Sequence, residues 1–131
     1  MTASLTPGDT ARTFALPADE RYTLFLSAAV EHGKVWTLMG EGGFVAFCDE
    51  EQHDCFPFWP APAFAEALAT DDWSDCRAEA LDLKTFMERW LTGMSRDGRL
   101  VSVFPAPDGT AIVMDPLVLS QDLEEERQQA G

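Results

Sequence analysis

The chain reads as a single α+β domain whose sheet is mainly antiparallel. Three observations predict this. Two stretches carry apolar residues at the helical period, and short runs rich in β-branched and aromatic residues come in pairs around glycine turns. Helices do not separate the strands one by one, as a doubly wound parallel sheet would require. A length of 131 residues fits one domain and buries enough surface for a core of its own. The expectation is about five or six short strands built from hairpins, packed with three or four helices.

Residues 1–16 read as a flexible N-terminal arm, because Thr, Ser, Pro and Gly are frequent and the apolar residues follow no period. The domain is expected over 17–123. From Pro17 to His32, the residues Tyr22, Phe25, Leu26 and Ala29 fall at i, i+3, i+4 and i+7 and predict a helix. Pro17 suits its first turn, Asp19 and Glu20 the positive end of its dipole, and Gly33 the position just past its end. Lys34–Met39 and Phe44–Cys48 read as two strands around Gly40-Glu41-Gly42-Gly43, where glycine permits positive φ. After the acidic turn Asp49–Gln52, His53–Phe56 reads as a third strand ended by Pro57.

Trp59-Pro60-Ala61-Pro62 is held extended by its prolines. A short helix follows, with Phe64, Ala67 and Leu68 on one face, and Cys76–Leu81 reads as a strand. Asp82 is a good N-cap for a helix carrying Leu83, Phe86, Met87, Trp90 and Leu91 as one stripe. Leu100–Phe104 and Thr110–Met114 form a second hairpin around Asp108-Gly109. Asp115-Pro116 starts the last helix, which runs into an acidic polar tail over 124–131. Phe25, Leu26, Trp36, Leu38, Phe86, Trp90, Val103 and Ile112 are the expected core.

These residues carry a resemblance. Arg21-Tyr22 with Phe25, Val35-Trp36-Thr37-Leu38, Phe56-Pro57-Phe58-Trp59-Pro60, the stripe Leu83-x-x-Phe86-x-x-x-Trp90-Leu91, and Val103-Phe104-Pro105 before Asp108-Gly109 occur together. In this the chain resembles a family of small bacterial proteins known only as a domain of unknown function, over about residues 19–123. The resemblance implies a fold, with no activity, cofactor or catalytic residue to transfer. The order of elements also resembles, at the level of fold alone, the N-terminal domain of the enhanced-serine-sensitivity proteins.

The charge balance narrows the partners. Nine Lys and Arg stand against 23 Asp and Glu, a net charge of −14. So negative a surface repels phosphate backbones and anionic lipid, so neither direct nucleic-acid nor membrane binding is expected. No apolar stretch approaches the roughly 18 residues of a transmembrane helix, and the N-terminus lacks the pattern of a signal peptide. Three cysteines without scaffold spacing read as reduced thiols in a cytoplasmic protein.

Candidate chemistry is sparse. Cys48, His53 and Cys55 are spaced C-x4-H-x-C across one turn, but zinc wants four ligands, and the set lacks the usual pairs. No metal is expected, and the three read as strand and surface residues. Acidic neighbours raise a thiol's pKa, so a cysteine nucleophile is not expected either. The carboxylate runs Asp49–Asp54, Asp71–Asp75 and Glu124–Glu126 lie in turns or the tail, solvated alike, where acid–base catalysis needs two different environments. They lack the pattern of a calcium loop. Gly40–Gly43 sits between strands and carries a glutamate, which argues for a hairpin turn over a phosphate loop.

The expected function is therefore a non-enzymatic protein-interaction or accessory module that needs no cofactor. Its partner is another protein, a basic one if the charge is what it recognises. The candidate contact residues are the acidic Asp49, Glu50 and Glu51 and the aromatic Trp36, Phe58 and Trp59. The aromatics read first as core at a rigid proline corner, and otherwise as a groove rim with a Trp exposed for a partner. Two alternatives stand beside this reading. One is a ligand-binding protein or enzyme with a pocket around Trp36, Phe58 and Trp59. The other is an acidic, immunity-type neutraliser of a basic protein.

Overall fold

The computed structural model describes residues 7–41, 43–48, 54–70, 73–107 and 110–130. It is an α+β domain in which all but one of the strand pairings are antiparallel. In chain order the elements are α1 (Pro7–Phe14), α2 (Ala18–His32), β1 (Lys34–Gly40), β2 (Gly43–Phe44), β3 (Phe47–Cys48), β4 (Asp54–Phe58), α3 (Pro62–Ala67) and β5 (Arg77–Asp82). Then come α4 (Leu83–Thr85), a π-helical segment (Phe86–Leu91), α5 (Thr92–Arg96), β6 (Leu100–Val103), β7 (Ile112–Met114) and α6 (Pro116–Ala130).

Local chemistry explains most boundaries. Gly33 closes α2 in the left-handed region at φ 69°, its N–H donating to Ala29 O. The Asp82 carboxylate accepts from the N–H groups of Lys84 and Thr85 and so starts α4. Asp115 does the same for α6 through Leu117 N, at 2.8 Å. The β1–β2 turn pairs Gly40 with Gly43, whose φ of 113° few other residues adopt.

The strands divide between two sheets, β2-β1-β5 and β3-β4-β6-β7, which corrects the expectation of one sheet. The predicted strand Phe44–Cys48 breaks at Val45-Ala46, so β2 stays with β1 while β3 joins β4. Nor does Pro57 end β4. The β3 ladder reaches only Asp54 and Cys55, so the missing proline N–H interrupts no bond to β3, and β4 continues beside β6 as the one parallel pair. A bridge at Trp36 and Trp59 joins the sheets through bonds of 2.8 and 2.7 Å, and Thr37 Oγ1 donates to Pro57 O beside it.

Helices also occupy described parts of the expected arm and tail. Pro7–Phe14 is helical, and the ring of Phe14 meets Phe64 and Phe104 edge-on at 5.3 and 5.8 Å. α6 runs unbroken through Glu124–Glu126 to Ala130, so no structural boundary falls at 123. Between α4 and α5 the predicted α-helical stripe widens into π geometry. The buried pair there is Phe86 and Leu91, five residues apart, while Met87 and Trp90 are half-buried.

Phe25, Leu38, Phe86 and Val103 are core as expected. Leu26, Trp36, Trp90 and Ile112 are half-buried instead. Trp90 makes edge contacts to Phe44 and Phe58, at 4.6 and 6.0 Å, and keeps some of its surface in the open. α3 packs on β1 and β5, while α2 and α6 pack on each other.

Ser102, in β6, has no exposure, and its Oγ is the buried side-chain polar atom among the described residues that lacks a hydrogen-bond partner. Removing that hydroxyl removes a desolvation cost of about 1–3 kcal/mol without breaking a bond. Ser102→Ala is thus expected to leave the denaturation midpoint unchanged or raised; a clear loss of stability would show that the hydroxyl is engaged.

Candidate functional site

The aromatic candidates lie inside the molecule. Phe58 and Trp59 have no exposure, and Trp36 is half-buried. Phe58 packs edge-on against Phe86 and Trp90, and the Trp59 indole N–H donates to Pro105 O at 2.9 Å. Trp59 is thus a core residue and offers no exposed ring. The ring lies inside, where β4, β1 and the end of β6 meet, with its N–H on Pro105 O.

The same corner holds a residue whose role sequence reasoning missed. Arg21 is 2% exposed. Its Nε donates to Phe104 O, one terminal nitrogen to Phe14 O and Leu16 O, and the other to Thr110 O and Oγ1, at 2.6–3.3 Å. All five guanidinium hydrogens are engaged, so Arg21 ties α1, α2 and the β6–β7 hairpin together and presents nothing to a ligand. Phe104 holds a φ of 56°, a left-handed conformation that costs an ordinary residue about 1–2 kcal/mol. Its N–H donates to Phe58 O, Arg21 holds its carbonyl, and its ring packs on Phe14 and Phe64. A signal was present: Arg21 precedes Phe25 and Ala29 by four and eight residues, which places it on the inward face of α2.

The polar candidates do not assemble into a site. Asp49, Glu50, Glu51 and His53 lie outside the described residues, as does the side chain of Cys48. Cys55 is fully buried in β4, and Cys76 is half-buried with its Sγ close against Gly40. Among the described residues no three His, Cys, Asp or Glu side chains come together as metal ligands would. No helix described is long and apolar enough to cross a membrane.

What the surface does carry is charge. None of the Asp and Glu side chains whose burial is described is buried. Arg77, Arg96, Arg99 and Arg127 each lie within 4 Å of a carboxylate, of Glu79, Asp97, Asp54 and Glu124 respectively. On the outer side of α2 lies an open depression of about 440 Å3 lined by Leu16, Asp19, Glu20, Thr23, Leu24 and Ser27.

Residues 22–123 match the profile of DUF2750, a family described as proteins of unknown function. The chain belongs to that family. No curated protein matches it. The DUF2750 span takes in both sheets and the π-helical segment and ends within α6; α1 and Arg21 precede it.

Within that span the Tyr22 hydroxyl donates to an Asp122 carboxylate oxygen and pins α2 to α6. Burial, then this bond, then the carboxylate's charge push the Tyr22 phenol well above its ordinary pKa of about 10. The folded state thus favours the protonated phenol. Its contribution to stability is complete below about pH 10 and is lost as pH rises from there toward the folded-state pKa. Tyr22 is the single tyrosine of the DUF2750 chain, so tyrosinate absorbance reports on it alone. The native protein is expected to ionise only well above pH 10 and the urea-unfolded protein near it; coincident titrations would mean that the bond is not formed.

Proposed function

We propose that this DUF2750 chain is a non-enzymatic interaction or accessory module of the bacterial cytoplasm whose acidic surface receives a basic partner protein. The observation that supports this most is the placement of charge. The carboxylates whose burial is described lie at the surface, Arg21 is sequestered among backbone carbonyls, and the chain carries a net charge of −14. The outward field is therefore negative and steers cationic surfaces toward it. A neutraliser of one basic protein is the narrower form of this reading. The rival ligand pocket needs the side chains of Phe58 and Trp59 to face open space, and both are packed against the core.

Affinity capture with the full chain as bait, followed by mass spectrometry, tests the reading. The expected result is a protein of high pI that is retained at low salt and released as salt screens the interaction. A partner that is acidic, or that stays bound regardless of salt, would contradict it.

A further inference from the structure

We propose that the depression along α2 is the docking groove for a cationic, leucine-anchored segment of a partner protein. The inference rests on the acidic-surface reading and gives it a location. Glu20, Leu24 and Ser27 fall at i, i+4 and i+7 and form one stripe on α2, while Leu16 lines the depression from the α1–α2 link. Leu16 and Leu24 are 37% and 39% exposed, large apolar side chains left in the open beside the exposed carboxylates of Asp19 and Glu20. Arg21, the cation next to them in sequence, does not neutralise those carboxylates, because its guanidinium is turned inward with all five hydrogens engaged.

This combination selects its occupant. A purely apolar segment would strip water from Asp19 and Glu20 and return no hydrogen bond. A second copy of the chain, nucleic acid or anionic lipid brings charge of the same sign. A segment with Leu-type residues beside Lys or Arg satisfies both halves, its apolar side chains between Leu16 and Leu24 and its cations on the carboxylates. A helix laid in a groove achieves that pairing with residues three and four apart.

The test uses the full chain and two synthetic peptides of equal charge. One has Lys and Leu at helical spacing and the other has Lys with no Leu. In an amide NMR titration the Lys/Leu peptide is expected to shift signals concentrated between Leu16 and Ser27. Leu16→Ser with Leu24→Ser is expected to weaken that peptide by about tenfold, near 1.4 kcal/mol, and to leave the Lys-only peptide unchanged. Asp19→Asn with Glu20→Gln is expected to weaken it more than Glu124→Gln with Glu125→Gln, an equal change of charge. Thermal unfolding checks each variant, and Leu16→Ala with Leu24→Ala replaces the serine pair if that pair unfolds. Shifts elsewhere, or unchanged affinity in the leucine variants, would overturn the groove. If both peptides still bind with salt-dependent affinity, the acidic-surface reading survives that result; if neither binds at low salt, both proposals fall.

Discussion

Arg21→Met is expected to lower the free energy of unfolding by about 3–5 kcal/mol, because it removes hydrogen bonds from a charged donor and strands the buried Phe104 carbonyl together with part-buried acceptors. The Phe104 carbonyl suffers most. It belongs to a residue already strained at φ 56°, and its bond from Arg21 Nε is buried. Arg21→Lys is expected to fall between methionine and the wild type, since a lysine ammonium cannot serve three chain segments as the planar fork does. Urea denaturation with an unchanged m-value measures the series. A near-neutral Arg21→Met would mean that water replaces the guanidinium and that the clamp contributes little.

Trp59→Ala is the second large effect, at about 3–5 kcal/mol, from the cavity left by a fully buried ring. The lost indole donor adds to it by leaving the Pro105 carbonyl unpaired. Trp59→Phe separates the two contributions, because it keeps most of the ring and removes the donor. Trp90→Ala is expected to cost less than Trp59→Ala, since Trp90 is half-buried and its rim already meets water. If Trp59→Ala left stability unchanged and weakened only partner binding, the ring would be a surface anchor after all.

Elements whose cause is local were legible in the sequence. Asp82, Asp115 and Gly33 act within one turn, and the structure uses each as its type demands. What was not legible depends on distant segments. The pairing of β4 with β6 brings residues 55–58 beside 100–103, and no periodicity encodes that choice. The π-helical segment follows from how Phe86 and Leu91 reach the core together, which the i, i+4 pattern does not distinguish from α-helix. Trp59 left two readings open because an aromatic beside prolines fits an exposed corner as well as a buried one; the deciding contact is to Pro105, 46 residues away. The α2 groove was hidden for a related reason. Leu16 and Leu24 look like any apolar residues in sequence, and only burial shows them left outside.

If the negative surface drives association, as proposed, the association rate carries its signature. With the captured partner, the on-rate is expected to fall steeply as the Debye length shrinks from about 10 Å at about 0.1 M salt to about 3 Å at about 1 M. Asp49→Asn with Glu50→Gln and Glu51→Gln tests one acidic run in the same assay, and it is expected to lower the on-rate more than it raises the off-rate. An on-rate that stays flat across the salt series, and is the same for this triple variant, would leave the charge with no part in binding.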